Sequence, residues 1–227
     1  MAQGKLNHML NGLLAYWKFD EGASNTPATT ADATGNGWTG TNIGGITFSG
    51  GKNNSAVNIV NPSTQGISIS SSLDARAATT PFSVSFWFQP GVPISGAAVI
   101  GEWGTRNDFI LFNSSGTVVT FRASDGAGST TDVATGTLTP FTWYHIVFGF
   151  DGSNIFIYVN NGAPTTAVKS EVRRSGGNFV VGNYQSFTLG WTGIYDEVAY
   201  YNRALSAADV ATLYNGGAGF FFDSFTI

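Results

Sequence analysis

Phe82-Ser-Val-Ser-Phe-Trp-Phe-Gln89 decides the fold. In an extended chain, alternate side chains point to opposite faces, so Phe82, Val84, Phe86 and Phe88 share one face and Ser83, Ser85, Trp87 and Gln89 the other. That alternation predicts a half-buried strand. Downstream, Asp108–Asn113 and Thr117–Arg122 read as two short strands joined through Ser114-Ser115-Gly116, a hairpin signal. Trp143–Phe150 and Ile155–Val159 form a second pair through Asp151-Gly152-Ser153, and Asn161-Gly162 supplies a tight turn. Further strands are predicted at 13–19, 55–60, 66–70, 97–102, 178–182 and 192–201. One helix is predicted, over Leu205–Tyr214. Ser206 is its N-cap, Asp209 sits at the third helical position, Leu205 staples onto Val210, and Asn215-Gly216 closes it. The fold class is therefore all-β: a two-sheet antiparallel β-sandwich with one short C-terminal helix.

The chain of 227 residues carries ten Lys and Arg and a formal charge of −4. A nucleic-acid partner requires a basic stripe to displace counterions, and the sequence has none. There is no cysteine, which removes disulfides, zinc–thiolate sites and thiol catalysis together. The longest apolar runs are strand-sized, so no membrane partner is expected. The opening MAQGKLNHMLNGLLAYWKF reads poorly as a signal peptide, and the leading Met suggests an intact gene product. Residues 1–11 read as an N-terminal arm, 12–216 as the sandwich and 217–227 as a Phe-rich tail. The 22–45 stretch is rich in turn formers, yet Trp38 and the strands on both sides favour an ordered long loop of the same domain.

Six segments, in order, resemble the laminin-G-like jelly-roll domains of the concanavalin A-like superfamily. They are Gly12–Glu21, the Asp32–Gly37 turn followed by Thr39-Gly40, Phe82–Pro90, Trp143–Phe148, Ile157–Gly162 and Ile194–Ser206. The resemblance spans roughly residues 12–216. It implies two antiparallel sheets face to face. It leaves function open, because the family includes lectins, adhesion modules, appendages of secreted enzymes and phage accessory proteins.

Candidate sites follow from residue chemistry. Glycanases of this fold need two carboxylates across one cleft, usually as Glu-x-Asp-x-x-Glu, and that spacing is missing. Asp196 and Glu197 are adjacent, so in a regular strand they point to opposite faces. His145 lies mid-strand without a nucleophile elbow, and reads as a buried histidine bonded to its neighbours. No catalytic residues are expected. Asp32, Asn36 and Asp196 offer the oxygen ligands that calcium prefers. The resemblance implies a structural calcium at such a rim. The competing reading makes Asp32 an Asx-turn residue and lets Asp196 pair with Arg203 or cap backbone amides. For sugar binding, Trp103 with Arg106, Asn107 and Asp108 forms a candidate platform, while Trp38, Tyr184 and Trp191 lie in or near loops.

Phe220, Phe221, Phe222 and Phe225 would be a liability in water, so they either cover the sandwich's own edge or dock on a partner. The charged fraction of 11% is low for a soluble domain, which suits a surface covered by neighbours. The expected function is a non-catalytic structural or binding protein. The first reading is a phage virion accessory (head-decoration or tail-associated) protein, located in the virion and contacting capsid subunits or copies of itself. It could also hold cell-surface glycans. The alternative is an extracellular carbohydrate-binding or adhesion module.

Overall fold

The computed structural model of the chain describes residues 3–22, 27–60, 64–70, 73, 77–103, 107–173, 176–184 and 186–222, without the side chains of Trp103, Asn107 and Asp108. The chain opens with α1 (Gln3–Leu10), β1 (Leu13–Trp17), β2 (Thr29–Thr30), β3 (Gly40–Ile43), β4 (Thr47–Gly50), β5 (Ser55–Ile59) and β6 (Gly66–Ile69). It continues through β7 (Phe82–Pro90), β8 (Ala98–Trp103), β9 (Asn107–Ser115), β10 (Val118–Ser124) and β11 (Thr130–Thr137). It closes with β12 (Tyr144–Phe150), β13 (Asn154–Val159), β14 (Thr165–Val168), β15 (Asn178–Val181), β16 (Gly193–Tyr201) and α2 (Ala207–Tyr214).

The first sheet runs β14-β13-β12-β7-β16-β5-β4, with β1 also paired to β16. The second runs β11-β10-β9-β8-β15-β6-β3-β2. The two sheets pack face to face as an antiparallel jelly roll, as the alternation on β7 requires. Phe82, Val84, Phe86 and Phe88 are fully buried between the sheets. Phe82 meets Phe109 of the second sheet at 4.8 Å between ring centroids, and Phe121 meets Phe148 at the same distance. Burying each such ring contributes roughly 1.5–3 kcal/mol.

The other face of β7 is not solvated as a half-buried strand predicts. Ser83, Ser85 and Trp87 are also buried. A third layer covers this half of the sheet: Met9 of α1, Val210 and Leu213 of α2, Leu205 and Phe222 pack on Tyr16, Val147, Phe156, Ala199 and Tyr201. The serines are satisfied there. Ser83 Oγ donates to the Arg203 carbonyl and accepts from the Leu205 N–H, while Ser85 Oγ hydrogen-bonds His145 Nε2 at 2.9 Å.

Helix α2 is built as its sequence indicates. Ser206 accepts the Asp209 N–H, Asp209 returns the bond to the Ser206 N–H, and Asn215 ends the helix at φ 47°. Leu205 and Val210 are buried in one cluster. Helix α1 was not anticipated in the arm. An isolated eight-residue helix is marginal in water, and this one forms because Leu6, Met9 and Leu10 reach that same cluster. The 22–45 stretch contributes β2 and β3 to the second sheet.

Candidate functional site

Beyond the cover, the first sheet's outer face is open. Ile194 on β16 pairs with Asn58 on β5 and Gln89 on β7, so these three outward residues lie side by side across the sheet. With Val60, Val92, Thr192 and Phe141 they line a groove of about 400 Å³. Val60, Val92 and Phe141 are among the most exposed large apolar residues, at 56%, 65% and 68%. Sequence reasoning missed this groove, because its floor is assembled from positions 58, 89 and 194. Gln89 was readable as outward-facing; Phe141, in Thr139-Pro140-Phe141-Thr142, carried only the signal of an aromatic in a turn.

An acidic rim lies on the same sheet. The β16–β7 register slips between Asp196 and Ala199, with Glu197 in the left-handed region at φ 54°. This bulge overturns the expectation that Asp196 and Glu197 face apart: Asn53 meets both. Its N–H donates to Asp196 Oδ2 at 3.0 Å, and its Nδ2 donates to Glu197 Oε1 at 2.9 Å. Asp20 holds the same loop, accepting from the Ser55 N–H at 3.2 Å and Asn54 Nδ2 at 3.3 Å. Gly51 passes so close that a Cβ there would sit 2.6 Å from Asp196 Oδ2. Asp196 has no exposed surface, and its Oδ1 is buried without a hydrogen-bond partner. Burial, with the Asp20 carboxylate nearby, pushes the Asp196 pKa up to about 8.

The residues expected to hold calcium divide between two places. Asp32 forms the Asx-turn: Oδ1 accepts from the Tyr16 and Thr34 N–H groups, and Oδ2 from the Trp38 N–H at 3.1 Å. Asn36 Nδ2 donates to the Leu14 carbonyl at 2.9 Å. Both fasten the 32–38 turn to β1, whereas Asp196 caps Asn53 and neighbours Asp20. Arg203 pairs with Asp209 at 2.8 Å, not with Asp196. Among the described residues, no three His, Cys, Asp or Glu side chains gather as a metal-binding group.

Of the sugar candidates, Trp103 ends β8 opposite Asn107 at the start of β9, followed by Asp108. Arg106 lies outside the described residues, as do those three side chains. The other loop aromatics serve the fold. Trp191 is fully buried, donates to the Val92 carbonyl at 3.1 Å and packs on Phe88. Trp38 packs on the core and accepts from Trp17 Nε1, and Tyr184 packs beside Ala98, Ile110 and Val180.

In the tail, Phe222 is buried in its own chain, edge-on to Tyr16 at 5.0 Å, and its N–H donates to the Tyr16 hydroxyl. Phe220 meets Phe222 edge-on at 5.5 Å, and Phe221 is half-buried. Phe225 lies outside the described residues. Beneath this cover, His145 is buried beside Ser85 with its pKa depressed to about 3 by desolvation, so it is neutral at physiological pH. Its Nδ1 makes no hydrogen bond, so no carboxylate orients the ring as a general base requires.

The sequence profile described as the concanavalin A-like lectin/glucanases superfamily matches residues 61–211. No curated protein sequence matches the chain. Among solved structures, the binding domain of Paraclostridial Mosquitocidal Protein 1 superposes with a TM-score of 0.73 at 15% identity, over 92% of this chain and 53% of that one. The receptor-binding domain of a botulinum neurotoxin C/D mosaic gives 0.72 at 12% identity, over 90% and 51%. The chain thus spans about half the length of these toxin domains. Domain 4 of AbnA, an extracellular arabinanase from Geobacillus stearothermophilus solved with arabinotriose, gives 0.66 at 21% identity, over 87% and 96%.

Proposed function

The chain belongs to the concanavalin A-like lectin/glucanase superfamily, and within it we propose that this protein is a non-catalytic carbohydrate-binding module acting outside the cell. The observation that carries the reading is the open part of the first sheet's outer face, a strip of apolar and amide side chains beside the layer that buries Tyr16, Val147, Phe156, Ala199 and Tyr201. Small-ligand sites combine a mostly apolar lining with a few well-placed polar groups in this way. The AbnA domain, similar along nearly its whole length and solved with arabinotriose, supports the same ligand class. The toxin binding domains support a recognition role more broadly.

A calcium ion fits the rim better than the 32–38 turn. Asp196 and Asp20 would hold it, with oxygens of the 51–55 loop. The unpartnered, buried Asp196 Oδ1 is the group that asks for a cation. When bound, the ion supplies a charge partner and ties β16 to the 51–55 loop; no chemical step is assigned to it. The virion accessory reading drew on a phenylalanine tail in need of a partner. Burial of Phe222 in its own chain removes part of that support. Affinity electrophoresis through gels containing neutral polysaccharides tests the proposal, alongside an assay for new reducing ends. Retardation without new reducing ends is the expected result. Unretarded migration in every polysaccharide, or release of reducing ends, overturns it.

A further inference from the structure

Resting on that reading, we infer that the groove over Asn58, Ile194 and Gln89 is the saccharide site, that it selects uncharged sugars, and that Phe141 is its stacking platform. Three observations converge. Every described side chain lining the groove is uncharged, so nothing there would compensate a carboxylate or sulfate on the ligand. Among the described residues, no hydrogen bond engages the side-chain amide of Gln89 or Asn58. Each amide can both donate and accept, which is what a sugar hydroxyl demands. Phe141 presents a mostly exposed ring on a left-handed backbone, φ 60°, with its N–H fixed to the Pro90 carbonyl at 2.7 Å.

That conformation is disfavoured for a residue with a side chain and tends to be retained at ligand sites. It holds an apolar face towards solvent at the groove's margin. A sugar ring offers the complement, an apolar C–H face for the aromatic ring and a rim of hydroxyls for the amides. A lipid chain or apolar peptide segment would leave both amides dry and unpaired, at a cost.

The test measures binding of the full chain to neutral trisaccharides (arabinose, xylose, glucose and mannose series) and to trigalacturonate, by calorimetry. Wild type binds at least one neutral trisaccharide and not trigalacturonate. Phe141→Ala and Gln89→Leu weaken that binding by about tenfold or more, Phe141→Tyr retains it, and circular dichroism shows all variants folded. If wild type binds a neutral trisaccharide but Phe141→Ala and Gln89→Leu bind equally well, the site lies elsewhere: the inference falls while the carbohydrate-binding reading stands. Preference for trigalacturonate also overturns the inference. If wild type binds none of the sugars, the reading beneath it fails as well.

Discussion

Replacing Asp196 by Asn should stabilise the calcium-free protein at neutral pH. The Asp196 carboxyl has no exposed surface, one oxygen is orphaned, and its folded pKa is raised from 3.8 to about 8. Between those values the unfolded chain has lost this proton while the folded chain keeps it. Stability therefore falls as pH rises, by about 1.4 kcal/mol per pH unit. His145 complicates the lower part of that range. Its folded pKa is depressed from 6.5 to about 3, so its contribution falls as pH drops through that interval, opposing the Asp196 trend. Above pH 6.5 the His145 contribution no longer changes, so the decisive window for Asp196 is pH 6.5–8.

By pH 7 the accumulated penalty is about 4.4 kcal/mol by the same arithmetic, an upper bound because the protein can relax around the charge. Asn is nearly isosteric and keeps the acceptor for the Asn53 N–H, so a gain of about 2–3 kcal/mol is expected. For a chain of this size that is roughly 5–10 °C in Tm. Urea unfolding with EGTA at pH 6.5, 7.25 and 8 reads the effect. Wild type should weaken across the series and Asp196→Asn should not. Added calcium should reverse the ranking, stabilising wild type and leaving the variant unmoved. A variant less stable than wild type in EGTA, with a flat wild-type pH profile, would refute the reasoning.

The acid side gives the mirror-image test: between pH 3.8 and about 3, where Asp196 no longer contributes and His145 still does, His145→Asn should lose less stability than wild type on acidification, measured by urea midpoints. Ser206→Ala breaks the capping box of α2 and should cost about 1 kcal/mol, seen as a Tm drop of roughly 2–4 °C. Phe222→Ala empties a buried position against Tyr16 and should cost about 2–3 kcal/mol, below the roughly 3–5 kcal/mol of a core phenylalanine because a chain end can collapse into the gap. An unchanged Tm there would mean that the tail does not hold its own sandwich.

The sandwich was legible because its signals are local. The period-two run on β7 put four apolar residues in the core, and Ser206 with Asp209 marked a helix start that the structure reproduces. What escaped depends on tertiary placement. Trp87 looked outward and is outward, yet it is buried under a layer built from both ends of the chain, with Lys52 over its ring. The bulge at Glu197 reverses the alternation on which the reading of Asp196 and Glu197 relied, and no residue type announces it. The groove was invisible for a related reason: register between β5, β7 and β16 makes neighbours of Asn58, Gln89 and Ile194.

The central claim is that an uncharged saccharide settles on the open half of the first sheet. The most direct measurement is a two-dimensional amide NMR titration of the isotopically labelled chain with a neutral trisaccharide. The account predicts saturable shifts confined to residues near 58–60, 89–92, 141 and 192–194, with the core unperturbed. Shifts centred instead on 103–108, or none at saturating sugar, would contradict it.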